Sequence, residues 1–502
     1  MRSWDLSLTL DATREQPLFV QLAHGIAEAI RTGRLKPGDA LPGSRTLAAQ
    51  LRVNRNTVVA GYDELVAEGL VDTRGGAGSF VAATPRTPRT ASPPKGPTFA
   101  LPPFALPPAA FVPPAQGRLL LHAGLPDPRL FPARALARAF RRAIEHRGRQ
   151  GIGYAGACGH PRLRAELAAM LAHTRGLAAV PDTLMVTRSV EQAIDLVARC
   201  LVAPGDVVAM EAFGYPPAWR LFELAGARIA PIPLDDEGLD VDVLEALLAR
   251  QPLRAVFLTP HHQFPTTVVM SAARRERLAQ LALRHRFAIV EDDYDHEFHY
   301  QGRPVLPIGA GVGGANVIYV GSLANLLAPG IGTAFVTAPP VMFERLARLR
   351  AASDARGDGA LEAAVAELCE DGELLRHVRR MRGTYAARRD AFAASLRRHL
   401  GGALDFRVPE GGLALWARAA EDIDVVAWER AGAAAGVVFH NARPFDFHER
   451  VQPYLRLGFS YHDAAELDEA VRRMASALPR RDVRRRCYPT RADTLAFVTN
   501  SY

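Results

Sequence analysis

Eleven prolines crowd the stretch from Thr84 to Gln116. Proline has no N–H to give to a helix or a sheet ladder, so no regular element and no common core can run through such a segment. It reads as a semi-rigid, extended spacer, with Phe99, Phe104 and Phe111 available to anchor it on a neighbouring surface. The 502 residues are thereby split into a small N-terminal piece and a much larger C-terminal one. The predicted boundaries are 1–83, a spacer at 84–118, a large domain at 119–480, and a short Arg-rich tail at 481–502 that reads as a solvated extension able to touch DNA phosphate.

Composition narrows the classes open to each piece. No apolar run approaches the roughly 20 residues of a membrane span, and the opening MRSWDLSLTLD lacks the apolar stretch of a signal peptide. Cys158, Cys200, Cys369 and Cys487 are scattered without a CxxC pair, which suits reduced thiols better than a disulfide frame or a zinc knuckle. These features predict a cytoplasmic protein without a membrane partner. The net charge of +8 mildly favours a nucleic-acid partner.

In the N-terminal piece, Pro17–Ile30 has apolar residues at helical spacing, and Gly33 with Pro37-Gly38 stops the helix. Ser44 is expected to cap a short helix through Leu51, and Arg52–Asn54 to form a tight turn. A further helix is predicted over Arg55–Glu68, with Val58, Val59, Tyr62, Leu65 and Val66 inward. Leu70–Thr73 and Ser79–Ala82 read as two short strands around the glycine-rich tip Arg74-Gly75-Gly76-Ala77-Gly78. Helix, turn, helix and hairpin make a winged helix-turn-helix. The wording LPGSRTLAAQLRVNRNTVVAGYDELVAEGLV closely resembles the GntR family of bacterial regulators, over about sixty residues. That resemblance implies operator DNA as partner. Arg55, Asn56 and Thr57 would stand at the start of the recognition helix, where Arg can read guanine and Asn adenine. Arg45, Arg74 and Gly76 at the hairpin tip would position the domain on phosphate or in the minor groove. Residues 1–83 carry nine basic and nine acidic side chains, so DNA binding requires Arg45, Arg52, Arg55 and Arg74 to form a patch.

Beyond Leu120, apolar strand-like runs alternate with helical ones, the pattern of an α/β domain with a mostly parallel sheet. One stretch organises it: VIYVGSLANLLAPGIGTAFVTAP, Val317–Pro339, a buried strand, a small-residue turn and a second apolar run. It resembles the segment G-[ST]-x-[SA]-K-x-L-A-P-G-x-R-x-G of MocR-type regulators, in which a GntR winged helix is fused to a fold-type I, pyridoxal-phosphate (PLP) aminotransferase-like domain. Gly321, Ser322, Leu327, Ala328, Pro329 and Gly330 keep the frame. Asn325 stands where the resemblance places the Schiff-base lysine, and Gly332 where it places a phosphate-binding arginine. An amide cannot form the imine that PLP chemistry needs. The chain's lysines are Lys36 and Lys95, both upstream of this domain, so no shifted lysine can substitute.

Other landmarks extend the resemblance over some 350 residues. GYAGACGHPRLRAEL supplies Tyr154 and Gly159. VTRSVEQAIDLV matches the helix N-terminus that holds the PLP phosphate, with Ser189-Val190 in place of a Gly-Ala pair. Tyr215 would stack on the pyridine ring, and Glu211-Ala212-Phe213 replaces an acidic-Asp-Pro sequence. TPHHQFPTTVVMS resembles T-P-[SA]-H-Q-[FY]-P-[TL]-G, with His262, Gln263 and Pro265 kept and Thr267 in place of the glycine. Asp292 would pair with the pyridine nitrogen and Tyr294 with the ring hydroxyl, and Arg456 would grip a ligand carboxylate. Arg220 offers a second anion contact or a solvated helix position. A metal site from Asp292, Asp293, Asp295, His296 and His299 competes for the same residues, but the resemblance explains that cluster and no metal is expected.

The expected cofactor-side remnants are therefore Tyr215, Asp292, Tyr294, Ser189 and His262, with Arg456 for a carboxylate. The expected function is an operator-binding transcriptional regulator. Its aminotransferase-like domain would form a homodimer, head-to-tail by the resemblance, and sense an amino-acid-like or anionic ligand without catalysis. The alternatives are a working PLP aminotransferase, a regulator that holds PLP noncovalently, and a large domain that only sets the spacing of two DNA-binding heads.

Overall fold

The computed structural model describes residues 8–14, 16–75, 78–82, 117–121, 124–151, 156–302 and 304–479. The proline-rich spacer, the Arg-rich tail, Lys95, Cys487, Tyr154 and Gly76 lie outside them. Two compact units are distinguished, 1–105 and 106–502.

In the smaller unit, the first helix spans Leu18–Arg31 and buries Leu22, Ala23, Ile26 and Ile30. Gly61 lets the third helix cross it closely, since a Cβ there would stand 2.9 Å from the Leu22 side chain and 3.1 Å from the Phe19 carbonyl oxygen. Lys36 sits exposed in the turn that follows the first helix and is the one lysine among the described residues. The second helix runs Ser44–Leu51, but Ser44 is its first helical residue, not its cap; Gly43 holds the cap position without a side-chain bond. Arg52 closes that helix in the left-handed region, at φ 54°. Asn54 caps the third helix, Arg55–Ala67, by accepting from the Asn56 N–H. Its buried face is Val58, Gly61, Tyr62 and Leu65. Val59 and Val66 are exposed, contrary to expectation: one residue past Val58 and Leu65 is a 100° step that carries a side chain to the rim of a narrow apolar stripe. The wing is an antiparallel hairpin, Val71–Arg74 with Gly78–Val81, registered Val71 opposite Val81. Leu35, Leu41, Leu47, Val71 and Val81 join the helices in one core.

The larger unit is built on a seven-stranded sheet. Its strand order is Leu184–Thr187, Ala334–Thr337, Val317–Ser322, Ala288–Asp293, Ala255–Leu258, Val207–Glu211, Arg228–Ile232. Ala334–Thr337 pairs antiparallel with both neighbours, and the four remaining pairings are parallel. Several of these strands are buried along their whole length, as the continuous apolar runs required. One face is covered by a core including Ile194, Val197, Phe222 and Leu346, the other by Leu244, Leu278, Leu281 and Phe287. A 28-residue helix, Glu373–Leu400, leads to a second, antiparallel sheet ordered Leu404–Phe406, Ala414–Ala419, Tyr454–Gly458, His440–Asn441. None of the helices among the described residues is long and apolar enough to cross a membrane.

Candidate functional site

The carboxyl ends of the central strands deliver Glu211, Asp292 and Ser322 to one edge of the sheet, where α/β folds place their sites. Asp292 is buried, and among the described residues nothing hydrogen-bonds to its Oδ1. Burial first, then the neighbouring Asp293, Glu191, Asp295 and Glu211 carboxylates, raise its carboxyl well above the usual range. Its Oδ1 is an open acceptor, and a cation placed beside it would favour the charged carboxylate. Glu211 accepts from the Thr259 N–H at 3.1 Å and the Thr259 hydroxyl at 2.9 Å, and burial pushes it up to about 7.

Phe264 is the aromatic centre of this edge. Tyr215 meets it edge-on at 5.4 Å, Tyr294 at 6.2 Å and Phe445 at 5.3 Å. The Arg456 guanidinium lies over the same ring, 4.5 Å from its centroid. Arg456 is buried and donates to the Pro265 carbonyl at 2.6 Å. Among the described residues its Nε has no partner and no carboxylate pairs with it, so the cation is buried without a counter-charge. Tyr294 donates its hydroxyl to the His262 carbonyl at 2.7 Å. Asn325 donates from Nδ2 to the Tyr294 carbonyl at 3.1 Å, which pins the turn after Ser322 to the end of the neighbouring strand.

Tyr215 ties this edge to the N-terminus of the helix Val190–Leu201. Ser189 caps it by accepting from the Gln192 N–H at 3.2 Å, and Glu191 occupies the first turn. The Tyr215 hydroxyl donates to Glu191. Gly332 passes so near that a Cβ on it would stand 2.8 Å from the Arg188 carbonyl oxygen. Arg220 is an exposed helix residue, away from these contacts. In the loop between Thr259 and Ser271, Thr267 adopts φ 64°, the left-handed conformation that a glycine would occupy without strain.

The fold thus brings Asp292, Tyr294, Tyr215, Asn325 and Arg456 into one neighbourhood. Two members were not foreseen from the sequence: Phe264, and Glu191, whose signal was an acid in the first turn of the helix that would face phosphate. The acid-rich metal set is not gathered as such. Asp293 accepts from Tyr319 at 2.6 Å and lies 2.9 Å from His296, and Asp295 lies 2.7 Å from His262 Nδ1. Burial opposes the charge on Asp293, but His296 first, then Arg175 and His261, hold its carboxyl well below the usual range. In the winged helix, Arg45, Arg55, Asn56 and Arg74 are exposed, and Thr57 is half-buried. Arg55 donates from Nε to the Ser44 hydroxyl at 3.3 Å. Arg74 lies over the Phe80 ring at 5.0 Å.

A winged helix and a two-sheet domain with a site edge of this composition define a DNA-binding head joined to an aminotransferase-type body. The profile of "Bacterial regulatory proteins, gntR family" matches residues 18–81, and that of "Aminotransferase class I and II" matches residues 122–474. The probable rhizopine catabolism regulatory protein MocR of Rhizobium meliloti is 33% identical over 94% of this chain and 95% of its own length. The pyridoxine biosynthesis transcriptional regulator PdxR of Corynebacterium glutamicum is 30% identical over 77% of this chain and 80% of its own. Among solved structures, the α-aminoadipate aminotransferase LysN of Thermus thermophilus superimposes with a TM-score of 0.67, at 28% identity, over 72% of this chain and 92% of that one. The chain belongs to the MocR-type branch of the GntR transcriptional regulators, in which the winged helix is fused to an aminotransferase class I/II domain.

Proposed function

We propose that this chain is a cytoplasmic, homodimeric transcription factor that binds operator DNA through Arg55, Asn56 and Thr57 and senses an amino-acid-like ligand without performing transamination. The observation that carries the reading is the pairing of a buried Arg456 lacking a carboxylate partner with an Asp292 whose Oδ1 lacks a donor, among the described residues. A ligand with a carboxylate and an ammonium group would satisfy both.

PLP held in the manner of aminotransferases does not fit these residues. A carboxylate, Glu191, stands in the first turn of the helix where the phosphate would bind, and like charges repel there. Ser189 already occupies one of that helix's open N–H groups. Asn325 offers no amine. Asp292 does favour a second reading, in which PLP or a related pyridine is held noncovalently by its ring nitrogen alone. Exposed Phe140 and Ile144, on the helix Ala133–Gly151 beside Leu136 and Leu361, support an apolar contact with a second copy. A head-to-tail arrangement is inferred from the family resemblance.

The test combines two measurements on the full chain. Selection from fragmented genomic DNA should enrich one motif with paired half-sites, as a dimer requires. Incubation with PLP, borohydride reduction and peptide mass spectrometry should find no adduct within residues 119–480. Absence of any enriched motif, or turnover of an amino acid with PLP, would overturn the reading.

A further inference from the structure

The loop after the strand Ala255–Leu258 and the segment after the strand Ala288–Asp293 bring three imidazoles together. Ligand nitrogens of His261, His262 and His299 all lie within 4.8 Å of one another. The His261 and His262 rings are 4.3 Å apart at their centroids, and His261 stacks on His296 at 4.6 Å. His261 and His262 are each 2% exposed. Among the described residues, neither nitrogen of His261 and not the Nε2 of His262 has a hydrogen-bond partner. Buried polar atoms without partners are rare because each has lost its water and gained nothing. Unpartnered nitrogens on three rings, one from each lying within 4.8 Å of the others, ask for a common acceptor of one lone pair per ring.

We propose that His261, His262 and His299 form a binding site for a transition-metal dication of the zinc type. Imidazole nitrogen is a preferred donor for such ions. Around a tetrahedral zinc, nitrogens at about 2.1 Å stand about 3.4 Å apart, so a modest rotation of the rings closes the present span. His299, half-buried where the other two are buried, is both the ring with room to swing and the side from which an ion enters. His262 Nδ1 lies 2.7 Å from Asp295 Oδ1. That contact fixes the proton on Nδ1 and turns the Nε2 lone pair to the cluster, the carboxylate–histidine–metal arrangement. Three histidines leave a fourth position for water or an anionic ligand group. The same loop carries Phe264 and Pro265, which hold Arg456, so metal occupancy and ligand binding draw on one loop.

The test uses tag-free full chain stripped with a chelator and titrated with cobalt(II), whose visible absorption reports tetrahedral ligation, followed by displacement with zinc. One ion per chain is expected. His261→Ser places there a residue the related loop pattern accepts, and His299→Gln changes a half-exposed side chain; circular dichroism confirms their folding. Each should weaken binding by at least about tenfold. Zinc-edge X-ray absorption of the wild type should show a shell of imidazole nitrogens. Failure of the wild type to take up either metal, unchanged affinity in both folded variants, or a shell dominated by sulfur or by oxygen would overturn the proposal.

Discussion

Gly332 and the Arg188 carbonyl oxygen approach so closely that a Cβ at position 332 would stand 2.8 Å from that oxygen. The obstruction is backbone, which cannot swing aside as a side-chain end would. The arginine that the family resemblance places here could not simply be introduced. Gly332→Arg is expected to lower the melting temperature, by overpacking on the order of 1–3 kcal/mol, and to leave PLP affinity unimproved. Gly332→Ala should show most of the same loss. Thermal melts with and without PLP check this; a Gly332→Arg protein of wild-type stability that binds PLP tightly would refute it.

At Thr267 the backbone keeps a glycine's conformation while the side chain is β-branched, at φ 64°. Left-handed geometry costs an L-residue roughly 1–2 kcal/mol, and glycine returns part of that through its freer unfolded chain. Thr267→Gly is expected to stabilise the protein by about 0.5–1 kcal/mol net. Denaturant unfolding monitored by circular dichroism gives the sign directly.

Glu211 has its folded pKa raised from 4.5 to about 7 by burial. A carboxyl raised on folding stabilises fully below its unfolded value, and that contribution is lost as pH rises through about 7. Wild-type melting temperature should therefore fall between about pH 4.5 and pH 7, and Glu211→Gln, neutral throughout, should flatten the decline. The Glu211 share is on the order of 3 kcal/mol at about 1.36 kcal/mol per pH unit. Glu291, also raised to about 7, keeps part of the slope in the variant. A variant with the wild-type slope would show that Glu211 stays charged.

Arg55→Ala should weaken binding to the selected operator by about 1–3 kcal/mol and relax base choice at one position. Arg45→Ala should weaken binding to all sequences alike and reduce its salt dependence. Gel-shift titrations across salt and a set of single-base operator variants separate the two roles. Unchanged affinity for Arg55→Ala would remove it from the recognition surface.

Much of the architecture was legible because it depends on short-range pattern. Continuous apolar runs named the buried strands, and the order of turn residues named the winged helix. What escaped depends on neighbours distant in the chain. Ser44 looked like a cap, yet the segment before it enters the helix one residue earlier and leaves the cap to Gly43, while Asn54 takes the capping role on the next helix. His261 and His299 lie 38 positions apart by number and meet only because their strands are adjacent in the sheet. Thr267 could be seen as a departure from a glycine, but only its φ shows that the loop did not change shape to suit it. Glu191 was visible as a letter; its bearing on an anion follows from the helix end it occupies.

The position of Lys36 gives the chain a built-in chemical handle. It lies exposed beside the first helix of the DNA-binding unit, and no lysine follows Lys95 in the sequence. An amine-directed fluorophore therefore has no lysine to modify anywhere from 96 to 502. Once Lys95 is replaced, Lys36 becomes a single lysine reporter on the head, against which movements and occupancy of the body can be read without engineering a background out of the larger unit.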